Sequence, residues 1–331
     1  MTILRNAITG EPLPVKIFPD TVTFRGKQYK VLNIAFIDEC GEEFTTTESD
    51  AIWYNQATAQ YRQEHGIPFP DEIKAVREKY GLSSAAMSEV LGFGANQWRL
   101  YEQGEVPSES NGKMIRSIMN PKVMLDIVEH SRDSLPPKIY DKTKSAINAI
   151  ILQREEYRLT TYAVSRLYAT PRNAMNGFAP LSLERLKNLL IYILNKCGEL
   201  YHTQMNKLLF YIDFLSYKER AMAISGLSYR AIEFGPIPNR YERVYSAFDE
   251  IEQMPRMIHE VEGTVMTTSY DADITLFSEE EQKIINQVCD KLKGYSSRKL
   301  SELSHREDAW KNHQEKKEMI PFAEAFTLSA F

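Results

Sequence analysis

Two proline-containing breaks constrain this chain more than any other feature, because they divide it into segments short enough to fold separately. The first is Gly66-Ile67-Pro68-Phe69-Pro70 and the second is Leu135-Pro136-Pro137. Proline interrupts helices and sheets, and paired prolines favour an extended linker. On length alone, 331 residues suit two or three domains. The breaks predict an N-terminal module over residues 1–66, a helical unit over 67–135 and a longer C-terminal region.

The composition is that of a globular protein, with 43% hydrophobic and 26% charged residues. No apolar run reaches the roughly 18 residues of a membrane span. The start, MTILRNAITGEPLP, lacks the basic and apolar regions of a secretory signal. Three cysteines fit a reducing compartment, so we expect a cytoplasmic protein.

The charge balance does not indicate a nucleic-acid partner. The chain holds 40 Lys and Arg against 45 Asp and Glu, a net charge of −5. Within residues 71–132 the counts are 8 and 9. DNA binding must therefore depend on local geometry, since non-specific affinity for phosphate comes from positive charge.

The N-terminal module has the alternating pattern of a β-hairpin. Apolar residues alternate through 15–37 around the turn Arg25-Gly26-Lys27. Residues 47–64 follow with an acidic first turn and a rough apolar face, which predicts a helix.

Residues 71–130 carry the start and stop signals of five short helices. The expected caps and breaks are Asp71, Gly81, Ser83 or Ser84, Gly92, Gly104, Pro107-Ser108 and Asn120-Pro121. Three short helices within about 35 residues suit a helix-turn-helix, whose third helix lies in the major groove. That helix presents Asn96, Gln97 and Arg99, which can bond to base edges. A small helical core with a polar surface fits the same spacing.

The C-terminal region is predicted to be mostly helical. Residues 138–176 look helical, and helices are expected after Ser182, after Tyr201-His202-Thr203, over Asn239–Gln253 and from Ser278 to Gly294, with strands at Ser228–Glu233 and Val261–Thr268. The predicted fold class is mainly α with small β elements (α+β). Residues 136–179 are expected to form a helical linker and 180–331 a separate domain.

Residues 77–104, REKYGLSSAAMSEVLGFGANQWRLYEQG, resemble the Xre/Cro-type helix-turn-helix of MqsA-like antitoxins, including the closing Tyr101-Glu102-Gln103-Gly104. Val22–Lys27 and Glu48–Ala51 resemble the N-terminal module of that family. The resemblance implies a homodimer that binds operator DNA. The candidate DNA-binding residues are Ser84, Asn96, Gln97, Arg99, Lys113 and Arg116.

Two departures from the MqsA-like pattern matter. The family's N-terminal module often binds zinc through two Cys-x-x-Cys pairs, and this sequence keeps only Cys40 there. A structural zinc needs about four close Cys or His ligands, so no metal is expected. Leu100 occupies the position of the family's base-reading arginine, while Arg99 is turned about 100° around the helix.

Three blocks of the C-terminal region resemble the Panacea (SocA-like) antitoxin domain. They are Met205–Asp213, Ala231–Tyr241 with its Gly235-Pro236, and Leu300–His305 followed by Ala309-Trp310. The resemblance implies a domain that neutralises a protein toxin by direct binding. The residues expected to contact it are Lys207, Tyr211, Gly235, Pro236, Arg240 and Tyr241, on the exposed side of one helix and in the following turn. Core packing is the alternative for each block.

Together these resemblances predict an antitoxin of a type II toxin–antitoxin pair that also regulates its own operon. No phosphate loop, dinucleotide-binding motif or zinc-hydrolase motif is present. His305, near Glu307 and Asp308, has no nucleophile motif with it. We therefore expect no enzyme activity, no catalytic residue and no cofactor. The alternative is a phage- or plasmid-type transcriptional regulator whose C-terminal domain binds something other than a toxin.

Overall fold

The computed structural model describes residues 4–5, 10–157, 171–180, 182–258 and 261–331. The chain divides into two compact units, one formed by Met1–Ala57 with Thr170–Phe331 and the other by Thr58–Ala169. Helices predominate and the strands form small sheets, so the predicted fold class is confirmed. The predicted domain boundaries stay predictions.

The N-terminal sheet has the order β1-β2-β3, with β1 at Val15–Phe24, β2 at Lys27–Ile37 and β3 at Glu43–Phe44. Positive φ angles at Arg25 and Gly26, of 48° and 80°, make the two-residue turn that right-twisted antiparallel strands prefer. The predicted hairpin is confirmed by the ladder from Val15↔Phe36 to Phe24↔Lys27.

Helix α1, Thr47–His65, confirms the helix predicted after the hairpin. Trp53 donates its indole N–H to Asp20 over 2.9 Å, and the Gln56 side chain bonds to both the N–H and the C=O of Leu32. These contacts fix α1 on the sheet.

The unit formed by Thr58–Ala169 contains six further helices within its described residues. They are α2 (Pro70–Lys79), α3 (Ser84–Val90), α4 (Gln97–Glu102), α5 (Glu109–Ile118), α6 (Pro121–His130) and α7 (Pro137–Tyr157). Ser83, Ser108 and Asn120 cap α3, α5 and α6 as predicted. Helix α2 begins earlier than expected, because Pro70 occupies its first turn and Phe69, not Asp71, is the N-cap.

The core of this unit forms around Trp98 and Tyr80, both fully buried. The Tyr80 hydroxyl donates to the Ile118 carbonyl over 2.6 Å. Buried aromatic rings with satisfied polar atoms fix the packing of short helices that would not be stable alone.

The expected extended linker at Pro136-Pro137 is wrong. Pro137 begins α7, because proline fits the first turn of a helix, where its missing N–H is not needed. The helix predicted over 138–176 holds as far as Tyr157. Residues 158–170 lie outside the described residues, and 171–180 form turns.

The C-terminal part is built around helices α8 and α9. Its elements are α8 (Leu183–Cys197), β4 (Leu200–Tyr201), α9 (His202–Arg220), β5 (Tyr229–Ile232), β6 (Gly235–Pro238), α10 (Tyr241–Tyr245), β7 (Glu252–Ile258), β8 (Val261–Thr267), α11 (Glu279–Leu292), α12 (Ser297–Ser304), α13 (Asp308–Lys311) and β9 (Met319–Ile320). The strands make two sheets, β4-β8-β7 and β6-β5-β9. Ser182 caps α8, and Ser278 with Glu281 forms the predicted capping box of α11.

The helix predicted over Asn239–Gln253 is wrong beyond its first residues. Only Tyr241–Tyr245 are helical, and Glu252–Ile258 form a strand paired with β8. Among the described residues, no helix combines the length and apolar character needed to cross a membrane.

Candidate functional site

Helix α9 is the central element of the C-terminal part, and it packs against α11, α12, β6 and the 3₁₀ segment Phe322–Thr327. Every residue from Met205 to Tyr217 is buried. The expectation that this helix presents an exposed side to a partner is therefore wrong. Within this stretch the polar side chains of Lys207, Tyr211 and Asp213 contact other parts of the fold.

Lys207 is fully buried and connects the first block of the family resemblance to the second. Its ammonium nitrogen Nζ donates to the carbonyl of Pro236 over 2.9 Å. Burial lowers the pKa of Lys207 to about 7, because a charged amine is costly in an apolar interior. The residue thus supports the β5–β6 hairpin from inside.

Gly235 is required at the start of β6 for two reasons. Its φ is +97°, a conformation that disfavours a side chain. A Cβ atom there would also lie within 3.0 Å of Ser304 Oγ and Lys207 Nζ. The first, second and third blocks therefore meet at one point in the structure.

The third block holds the other strand of the hairpin. Trp310 donates its indole N–H to the Ile232 carbonyl over 2.7 Å, and the His305 ring stacks on Trp310 at 4.1 Å. His305 also hydrogen-bonds to the backbone of Glu233, and its buried Nε2 has no partner among the described residues. Burial, then the nearby Lys207, lowers the pKa of His305.

Tyr211 holds the C-terminal tail through Glu307. The buried Glu307 carboxylate accepts bonds from the Ser329 N–H, the Ser329 hydroxyl and the Ala330 N–H at 2.7–3.0 Å. The Tyr211 hydroxyl donates to it over 3.4 Å, and its ring lies 5.4 Å from Phe331. Burial raises the pKa of Tyr211, so its hydroxyl stays protonated.

Asp213 organises the segment after α9. Its buried carboxylate accepts bonds from the N–H groups of Ile224 and Ser225, the Ser225 hydroxyl and, over 2.6 Å, the Tyr229 hydroxyl. Burial raises the pKa of Asp213, and the hydrogen bonds act in the opposite direction. Asp213 was not among the predicted site residues, and its only signal in the sequence is an acid inside the apolar run from Leu208 to Leu215.

The hairpin supported in this way exposes one large apolar side chain. Phe234 lies in the two-residue turn between β5 and β6 and is 65% exposed. Of the other predicted contact residues, Arg240 is exposed and Tyr241 is half-buried, with its ring 5.7 Å from His202. The other four predicted contact residues are buried: Lys207, Tyr211, Gly235 and Pro236. Lys207 and Tyr211 therefore act through their hydrogen-bond partners, the Pro236 carbonyl and the Glu307 carboxylate.

The predicted DNA-binding residues divide into two groups. Three have intramolecular partners: Ser84 with Glu102 at 3.5 Å, Gln97 with Glu105 at 2.8 Å, and Arg116 with the Gly66 carbonyl at 3.0 Å. Asn96, Arg99 and Lys113 are exposed.

Glu102 fixes the orientation of α4. Its carboxylate accepts from the Arg77 guanidinium at 2.5 and 3.2 Å and from the Trp98 indole N–H at 2.7 Å. Among the described residues, no group of three His, Cys, Asp or Glu side chains could hold a metal ion.

A family model described as "Antitoxin SocA-like, Panacea domain" matches residues 205–311. All three blocks of the sequence resemblance lie inside that range, so the resemblance is confirmed for the C-terminal part. No curated protein and no solved structure matches the chain significantly. The MqsA-like and Xre/Cro-type resemblances stay predictions.

Proposed function

We propose that this protein is the antitoxin of a type II toxin–antitoxin pair and that its C-terminal part binds and blocks a protein toxin in the cytoplasm. The observation that carries the proposal is the match of residues 205–311 to an antitoxin domain. The same residues build the support of one exposed hairpin. Inhibition by binding needs no cofactor and no chemical step.

The proposed contact surface is the hairpin turn with Phe234, together with Arg240 and Tyr241. Aromatic and arginine side chains dominate binding energy when their positions are fixed before binding. The hairpin backbone is fixed at three positions by hydrogen bonds from Lys207, His305 and Trp310. The backbone that carries Phe234 is therefore fixed before binding, which lowers the entropic cost of binding.

The test is growth rescue by co-expression with the toxin gene that adjoins this one. We expect Phe234→Ala to abolish rescue with an unchanged melting temperature. Tyr270→Ala is the matched control, since Tyr270 is 56% exposed and lies outside the hairpin. Full rescue by Phe234→Ala would refute this contact surface. Failure of the wild-type protein to rescue would refute the antitoxin function and favour a regulator with another partner.

We also propose that the protein represses its own operon through α3 and α4. Asn96 and Arg99 lie exposed at the start of α4, where they can bond to adenine and guanine edges, and Lys113 suits a phosphate contact. Ser84, Gln97 and Arg116 would reach DNA only by giving up their present partners.

The DNA proposal is tested by fluorescence anisotropy with a duplex from the operon's promoter. Asn96→Ala should cost about 1–3 kcal/mol of binding at the operator and little on unrelated DNA. Lys113→Ala should weaken binding to the operator and to unrelated DNA alike. The control is Lys138→Ala on α7, which removes the same charge elsewhere and should leave both affinities unchanged. Unchanged operator affinity in Asn96→Ala and Arg99→Ala would contradict the assignment.

A further inference from the structure

Two cysteines that lie far apart in the sequence meet on neighbouring helices. Cys197 is the last residue of α8 and is half-buried, whereas Cys289 lies on α11 and is almost fully buried. Neither belongs to the hairpin support described above.

The contacts between α8 and α11 show that the two helices run side by side in the same direction. Arg185 pairs with Glu281 at 2.9 Å near the start of both helices. Further along, the Tyr192 hydroxyl donates to Asn286 over 3.2 Å. Cys197 on α8 and Cys289 on α11 come next along the two helices, after these two pairs.

The two thiols share a hydrogen bond and have different environments. The bond from Cys289, then the positive charges of Lys293 and Lys196, lowers the pKa of Cys197. The same bond and burial raise the pKa of Cys289. Cys197 is half-buried and Cys289 is almost fully buried, so an oxidant dissolved in water reaches the Cys197 sulfur first.

We propose that Cys197 and Cys289 are a reactive dithiol that a peroxide oxidant converts into an intramolecular disulfide. The Cys197 thiolate attacks one oxygen of hydrogen peroxide, which breaks the O–O bond, releases hydroxide and leaves a sulfenic acid. The Cys289 sulfur then attacks the Cys197 sulfur and expels water. Two thiols lose two electrons, and one peroxide becomes two waters. In reducing compartments such pairs are typical of redox sensing.

The test uses the full-length protein and limiting hydrogen peroxide, followed by alkylation and non-reducing peptide mapping. The expected product links the tryptic peptide 197–207 to the tryptic peptide 284–291. Cys40, which is exposed, is the internal control. Cys40→Ser should give the same linked peptide in undiminished yield.

Cys289→Ser should instead accumulate a sulfenic acid at Cys197, trapped as a dimedone adduct at least several-fold above wild type. Oxidation in denaturant should scatter the pairings among all three cysteines. The proposal is overturned if wild-type Cys197 is trapped by dimedone without the linked peptide. It is equally overturned if Cys40 is oxidised while Cys197 and Cys289 both remain alkylatable.

Discussion

Buried ionisable side chains on α9 decide how the C-terminal part responds to pH and to substitution. Lys207 and Asp213 lie in one helix, fully buried, with partners from other parts of the chain. A buried charge is tolerated only where hydrogen bonds replace its hydration, or where the group becomes neutral. Hydrogen bonds to its carboxylate oppose the rise in the pKa of Asp213, whereas burial lowers the pKa of Lys207 and so favours its neutral form.

The lowered pKa of Lys207 predicts a pH-dependent stability. Its pKa is about 7 in the folded protein against an ordinary 10.5, so the unfolded chain binds more protons between these values. The free energy of unfolding therefore rises with pH through this window, by at most about 1.4 kcal/mol per pH unit. Urea unfolding between about pH 7.5 and 9 measures the slope, below the range where the tyrosines ionise.

Lys207→Met should flatten that slope, because methionine fills the space without a titratable group. Lys283→Met, at an exposed position on α11, is the control and should keep the wild-type slope. An equal slope in Lys207→Met and wild type would show that another group produces it.

Removing the Asp213 carboxylate should destabilise the C-terminal part severely. Asp213→Ala leaves two backbone N–H groups and the Tyr229 hydroxyl without their acceptor. Each unsatisfied buried group costs about 1–3 kcal/mol, so the three groups together should cost at least about 3 kcal/mol. Tyr229→Phe removes a single bond and should cost about 1–2 kcal/mol. Equal melting temperatures for the two variants would contradict this account.

The β5–β6 hairpin shows how elements distant in the sequence fix one turn. Gly235 meets α9 and α12 side chains where any Cβ would lie. Gly235→Ala should therefore combine backbone strain of about 1–2 kcal/mol with overpacking of about 1–3 kcal/mol. The matched control is Gly294→Ala, which has a φ of +78° but open space around it.

Ser304→Ala in the Gly235→Ala background should recover part of the loss, since it removes the hydroxyl of one of the two side chains that crowd the added methyl group. Thermal unfolding of the single and double variants gives the comparison. A Gly235→Ala variant no less stable than Gly294→Ala would mean that the hairpin moves away from Lys207 and Ser304 freely.

Sequence patterns predicted the elements whose signals are local. The N-terminal hairpin follows from alternation around Arg25-Gly26, and Ser83, Ser108, Asn120, Ser182 and Ser278 cap helices as their positions indicate. Strand β7 was not predicted, and it contains Pro255, a residue type that most strands exclude. Proline is tolerated there because β7 is an edge strand that pairs only with β8 among the described strands.

The candidate site was predicted less well, because burial depends on contacts between distant residues. Lys207 and Tyr211 have the spacing of an exposed helix face, yet their partners Pro236 and Glu307 lie 29 and 96 residues away. No periodicity within α9 shows that both sides of the helix are covered. Conversely, Phe234 is exposed although it is apolar, because neighbouring residues and not its own hydrophobicity fix the turn.

At the scale of the whole molecule, the charge balance bears on how DNA would be bound. The helices that present Asn96 and Arg99 belong to a segment with 8 basic and 9 acidic residues over 71–132. Few phosphates can be neutralised by such a segment, so a single copy would bind weakly. A two-fold dimer doubles the contacts and places two recognition helices about one DNA turn, roughly 34 Å, apart.

We therefore predict that the protein is a homodimer at micromolar concentration and that operator binding depends on dimerisation. Light scattering should give twice the 38.2 kDa mass of one chain. Anisotropy titrations should be steeper on a two-site operator than on a single half-site, and affinity should fall as salt rises, because each phosphate contact releases a counterion. A monomer that binds the half-site and the full operator equally tightly would contradict the prediction. It would mean that each chain recognises DNA independently.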